Sequence, residues 1–162
     1  MTFMNSGAII SKLKLERHHE GGYYRRTYVS SRILPGTTPE RSLASAIVYF
    51  LPQGEVSRLH KIDADEIWHH YDGDQLVIVE ISTVGEVKRT TLGKDFVNGE
   101  TLQHVVKAGV WFGSYIPDGS RGALVGCTVH PEFLFDTFEL AHREQIIPLI
   151  SPSDFPIVEK LL

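Results

Sequence analysis

Gly54-Glu55-Val56-Ser57-Arg58-Leu59-His60-Lys61-Ile62-Asp63-Ala64-Asp65-Glu66-Ile67-Trp68-His69-His70-Tyr71-Asp72-Gly73 is the stretch that decides the fold. Two β-branched and aromatic segments, Val56 to Ile62 and Glu66 to Tyr71, flank the acidic turn Asp63-Ala64-Asp65. Side chains alternate across a strand, so His60 and Ile62 share one face of the first, and Glu66, Trp68 and His70 share one face of the second. Pairing the two as a hairpin with those faces inward brings His60, Glu66 and His70 together. An imidazole and a carboxylate converging inside a barrel can hold a metal or act as an acid/base pair.

Outward from this stretch the chain reads as strand after strand. Tyr23 to Ser30 and Leu43 to Leu51 precede it, separated by the loop Leu34-Pro35-Gly36-Thr37-Thr38-Pro39. Asp72-Gly73-Asp74 marks a tight turn, and Gln75 to Ser82 with Val87 to Leu92 form a hairpin about Val84-Gly85-Glu86. Leu102 to Lys107, Val110 to Ile116 and Gly122 to His130 follow. Ile9, Ile10, Leu13 and Leu15 give a short amphipathic helix between Gly7 and Glu20, with Ser6 as its N-cap and Gly21-Gly22 ending it. Phe138 to Ile150 has helical spacing that Pro148 ends or kinks, and Asp154 is placed to cap a last helix through Leu162. Many short strands with regular turn signals predict an all-β jelly roll, a double-stranded β-helix with short N- and C-terminal helices.

The 162 residues suit one domain, with a motif-bearing core over 18–140 and a helical tail over 138–162. Hydrophobic residues make up 42 % and the formal net charge is −4. That balance lacks the basic field that nucleic acid or an anionic membrane requires. No cationic segment followed by an apolar run opens the chain, so Met1 to Gly7 does not read as a signal peptide. The single cysteine, Cys127, excludes an intramolecular disulfide and reads as a small core residue in a buried strand. A cytoplasmic location is the expectation.

The Gly54, His60, Glu66 and Gly73 spacing resembles the first motif of the cupin superfamily, which runs Gly, five residues, His-x-His, three or four residues, Glu, six residues, Gly. Ile62 stands where the second histidine belongs. The second cupin motif finds its counterpart at Lys107 to Phe112, where Gly109 matches and Phe112 replaces the ligand histidine. His18-His19-Glu20-Gly21-Gly22-Tyr23-Tyr24, Ser57-Arg58-Leu59-His60, Asp65-Glu66-Ile67-Trp68-His69, Val106 to Trp111 and Val125 to Val129 look like the Cupin_5 branch, with His19 where that branch usually has proline. The resemblance implies an RmlC-like jelly roll and a homodimer, and it leaves the reaction open.

A typical cupin metal site uses three histidines and a glutamate, of which His60 and Glu66 remain. His70, or His104 if it faces the pocket, would supply a third ligand for zinc, manganese or iron. No cofactor is the leading expectation. Trp68, His70, Ile62, Trp111 and Phe112 are the expected pocket lining. His69 alternates outward, and His18, His19 and His142 read as surface residues. Arg25 and Arg26 lie on opposite faces, so at most one sees the pocket, whereas Tyr24 and Tyr28 share a face.

Three functions stay open. The first is a metal-independent epimerase or isomerase acting on a carbohydrate-like or carbonyl substrate. It would use His60 as base, Glu66 to orient it and Tyr24 or Tyr28 as acid, as the likeness of Ser57-Arg58-Leu59-His60 to RmlC-type epimerases implies. The second is a metal-dependent dioxygenase or isomerase with His60, Glu66 and His70 as ligands. The third is a binding module without chemistry. The first is preferred, with a small molecule as the partner in every case.

Overall fold

The computed structural model describes residues 5–162; the reading of Met1 to Met4 lies outside the described residues. The strands are β1 Glu16–Arg17, β2 Tyr23–Val29, β3 Ile33–Leu34, β4 Arg41–Ser42, β5 Ser45–Pro52, β6 Val56–Lys61 and β7 Asp65–Gly73. They continue as β8 Leu76–Ile81, β9 Val87–Leu92, β10 Gln103–Val106, β11 Trp111–Tyr115, β12 Gly122–His130 and β13 Glu139–Leu140. Three short helices accompany them: α1 Ser6–Leu13, α2 Arg143–Ile146 and α3 Phe155–Glu159. One sheet runs β1-β2-β5-β12-β7-β10 and faces a second, β13-β6-β11-β8-β9, with neighbours antiparallel throughout. This is the predicted jelly roll.

The connection between β6 and β7 corrects the hairpin reading. The two strands do not pair; they belong to opposite sheets. His60 and Glu66 therefore meet across the barrel rather than along a ladder.

Alternation then sorts the side chains into three layers. Tyr49, Leu51, Trp68, Phe112, Val125 and Cys127 fill the space between the sheets. The alternate residues Leu59, Val77, Val79 and Ile81 of the second sheet face outward and are covered by Ile146, Ile150, Val158 and Leu161 of the helical tail. On the outside of the first sheet, Phe50 packs against Ile9 and Leu15 beside α1. Burying a side chain of this size contributes about 1.5–3 kcal/mol, so both coverings are substantial.

The ends of the chain differ from expectation in detail. Helix α1 is capped by Asn5, whose side chain accepts from the Ala8 N–H at 2.8 Å, and not by Ser6. It stops at Leu13, where Lys14 takes a left-handed conformation, well before Gly21-Gly22. The stretch 138–150 is not one helix: Glu139–Leu140 adds an edge strand to β6 before α2, and Pro148 falls in a 3₁₀ turn. Asp154 precedes α3 but makes no side-chain cap. Among the described residues no helix is long and apolar enough to cross a membrane.

Candidate active site

The site depends on an irregularity in β6. Phe112 of β11 pairs with His60 and Ser114 pairs with Ser57, so three steps along β6 oppose two along β11. Strict alternation would put Ser57 and His60 on opposite faces; the bulge turns both toward the same carboxylate. Gly113 makes the bulge possible, because a Cβ there would come within 2.8 Å of the Ser57 carbonyl oxygen. The backbone N–H groups displaced by the bulge are satisfied elsewhere: Arg58 donates to the Glu20 carbonyl at 2.8 Å and Leu59 to that of Leu161 at 2.7 Å.

Glu20 is the carboxylate that Ser57 and His60 share. The Ser57 hydroxyl donates to its Oε1 at 2.8 Å, and its Oε2 lies 3.3 Å from both His60 Nε2 and His18 Nδ1. Glu20 is 7 % exposed and His60 2 % exposed, so water does little to screen the contact. The chain reaches this position through Gly21, whose φ of +116° and close approach to the Val56 carbonyl exclude a side chain.

The tautomer of His60 follows from its partners. Nδ1 lies 2.6 Å from the Arg58 carbonyl, which can only accept, so Nδ1 carries a proton. Nε2 is then the nitrogen that faces Glu20, and a proton carried there would be shared with the carboxylate. His18 accepts the Glu20 backbone N–H on Nδ1 at 3.2 Å, and burial pushes its pKa below the ordinary imidazole value. It packs edge-on to Tyr24 at 4.6 Å.

Glu66 lines the same cavity from β7. Burial, reinforced by the nearby Glu20 charge, raises its pKa to about 8, against a hydrogen bond with the Cys127 thiol that lowers it. Glu66 is a neutral acid at pH 7. Burial and Glu66 push the Cys127 thiol well up in turn. The remaining walls include Tyr24, Arg26 and Phe133. Centres of water-sized molecules can occupy about 30 Å³ of this cavity, inside about 480 Å³ of atom-free volume that includes its mouth.

His60, Glu66 and Tyr24 are thus brought together, while other expected residues stand elsewhere. Tyr28 does not share the face of Tyr24, because a bulge between Arg26 and Tyr28 reverses the alternation, and Tyr28 is 53 % exposed. Arg26, on the Tyr24 face, is the arginine that sees the cavity. Phe112 packs against His60 with ring centroids 4.2 Å apart and planes tilted by 58°, and Trp68 and Ile62 lie in the core cluster around it. Trp111 faces the helical tail with Lys61 over its ring. His70 is buried, but its Nε2 donates to the Asp74 carbonyl at 2.9 Å. It lies four residues, about 13 Å, along β7 from Glu66. His104 pairs with Glu80 at 2.6 Å, and His69 turns outward to Thr128 and Gln103. The surface reading of His18 is corrected: its side chain is 6 % exposed.

The donor set does not fit the usual cupin metal. Ile62 and Phe112 stand where two of the usual histidine ligands would be and offer no donor, which leaves only His60 and Glu66 of that set. Among the described residues no three His, Cys, Asp or Glu side chains are gathered so that they could hold a metal ion. What the cavity does assemble is an imidazole–carboxylate pair facing an uncharged carboxyl.

A two-sheet jelly roll with this pocket between its sheets defines a cupin. The family model "Cupin superfamily (DUF985)", Cupin_5, matches residues 7–141, and the chain belongs to that family. The crystal structure of protein SO0799 from Shewanella oneidensis is similar at 39 % identity and a TM-score of 0.88, over 98 % of both chains. The uncharacterized protein YML079W of Saccharomyces cerevisiae is 28 % identical over 161 residues, covering 89 % of this chain and 79 % of the yeast protein. Oxalate decarboxylase from Bacillus subtilis shares the fold alone: 12 % identity and a TM-score of 0.57 over 88 % of this chain and 36 % of that one.

Sequence reasoning missed Glu20 and His18. The signal was present in Glu20-Gly21-Gly22: two glycines after a carboxylate, before a strand, mark a close backbone approach rather than a helix end.

Proposed function

We propose that this cupin is an enzyme that moves a proton at a carbon next to a carbonyl of a small molecule, in the manner of an epimerase or isomerase. The observation that carries this reading is the His60–Glu20 pair opposite a protonated Glu66 in one cavity. In the reactive form His60 Nε2 carries no proton and Glu66 carries its own. The substrate C–H bond breaks and its proton passes to His60 Nε2, where Glu20 stabilises the imidazolium. The electron pair moves onto the carbonyl oxygen, and the Glu66 carboxyl donates a hydrogen bond to the enolate. Return of a proton to the opposite face gives an epimer; in a hydroxyketone, its return to the former carbonyl carbon, with the hydroxyl proton moving to the former carbonyl oxygen, gives an isomer. Tyr24, whose phenol pKa is pushed up by burial, is a second donor on the same wall.

Incubation with pyruvate and with hydroxyacetone in D₂O, followed by proton NMR, tests this. Deuterium entry at the carbon beside the carbonyl of either probe, abolished in His60→Ala, is the expected result. No entry into either, with folded protein, overturns the reading.

A further inference from the structure

We infer that Arg26 is the substrate-recognising residue of this pocket, and that the ligand is a small carboxylate with a carbonyl or hydroxyl on the adjacent carbon. The inference rests on the proposed site but concerns what enters it. Arg26 is the only lysine or arginine among the described residues that line the cavity. The bulge after it fixes its face: Arg26 pairs with Ile47, two residues from Tyr24 opposite Tyr49, so Tyr24 and Arg26 point the same way.

Its guanidinium is held without being used up. One nitrogen donates to the Phe133 carbonyl at 3.0 Å and another to Glu132 at 3.3 Å, which engages two of the five N–H donors. The Glu132 contact is long and Arg26 is 36 % exposed, so it is a weak pair that fixes position more than it neutralises charge. Glu132 has a separate anchor, since it also accepts the Ser42 N–H at 3.0 Å. Three guanidinium donors remain for a planar anion, the arrangement arginine offers to carboxylates.

The rest of the cavity fixes what that anion is attached to. Glu66 and His18 are held toward their neutral forms and Glu20 faces His60, so the floor consists mainly of hydrogen-bonding groups. The walls beside it, Ile47, Val129 and Phe133, are apolar. With about 30 Å³ open to the centres of water-sized molecules, the enclosed part of the cavity suits a group of a few heavy atoms. A carboxylate on Arg26 would leave its neighbouring carbon directed at the floor.

Calorimetric titration compares pyruvate with its neutral counterpart pyruvamide on the unaltered protein, and pyruvate on Arg26→Lys and Arg26→Met. Pyruvate is expected to bind the unaltered protein, pyruvamide at least about tenfold more weakly, and Arg26→Met to lose about tenfold or more in affinity, with partial recovery in Arg26→Lys. Equal affinity for pyruvate and pyruvamide, or no binding of either, overturns the inference without relying on a variant that must fold. Arg26-dependent pyruvate binding with no deuterium entry supports the inference and defeats the proposed reaction. Deuterium entry into hydroxyacetone, with no preference for the carboxylate, does the reverse.

Discussion

His60 Nε2 lies 3.3 Å from Glu20 Oε2, although the two residues are 40 positions apart in sequence and Glu66 is the carboxylate that the motif spacing offers. The pair exists because a bulge, a glycine approach and a short loop coincide. In the proposed reaction Glu20 orients the base and stabilises its imidazolium, and Glu66 donates a hydrogen bond to the enolate.

Glu20→Gln is therefore expected to lower the rate of deuterium entry by about 10²-fold or more, with a smaller change in probe affinity. The amide keeps the Ser57 hydrogen bond and the loop but cannot stabilise the imidazolium. A variant that folds and exchanges at the parental rate would remove Glu20 from the mechanism.

Glu66 makes stability depend on pH in a defined direction. Its carboxyl titrates at about 8 in the folded protein and near its ordinary 4.5 when unfolded. Between those values the folded state binds more protons, so its contribution to stability falls as pH rises, by up to about 1.4 kcal/mol per pH unit, and levels off above about 8. Urea denaturation of Glu66→Gln should show a stability gain over the parent that grows from pH 5 to pH 8. Parallel curves would place the carboxyl in a more ordinary environment. The alkaline limb of the deuterium-entry rate, set near pH 8 by loss of the Glu66 proton, should disappear in the same variant.

His18 acts on the acid side. Burial lowers its pKa, so the unfolded chain takes up a proton near the ordinary 6.5 while the folded one resists it. Its contribution is complete above that value and is lost as pH falls below it. His18→Phe, which keeps a ring against Tyr24, should flatten the stability decline between pH 6.5 and pH 5. An unchanged decline would assign the acid limb to other groups.

Gly113→Ala should cost about 1–3 kcal/mol, because the Cβ would meet backbone atoms of Ser57 and Leu59 at 2.8 and 3.1 Å, and backbone cannot swing aside. The same change should reduce deuterium entry through loss of the Ser57–Glu20–His60 arrangement. Parental stability would show that the bulge is not needed for close packing at that point.

The strands were legible because alternation and turn residues are local signals. Gly122 to His130 coincides with β12, and Gln75 to Ser82 with Val87 to Leu92 does pair as a hairpin. His60 and Glu66 were legible as inward residues for the same reason. Glu20 was not, because its partners are set by a bulge 37 residues away at Ser57, and single-residue insertions into a ladder leave no periodic trace. Tyr28 was misplaced by the same physics, through the bulge after Arg26. The β6–β7 connection is short enough to suggest a hairpin, and only the packing of two sheets decides that it crosses between them. Tertiary pairing likewise made Glu139–Leu140 an edge strand in a segment with helical spacing.

The proposed chemistry turns on His60 presenting Nε2, not Nδ1, as its exchangeable nitrogen toward Glu20. Long-range nitrogen–proton NMR correlation of the histidine rings, from pH 5 to pH 9, reads this directly. The expected spectrum has a protonated His60 Nδ1 across the range and an Nε2 resonance that shifts in Glu20→Gln. A His60 ring whose Nδ1 is the bare nitrogen, with a fixed proton on Nε2, would contradict it.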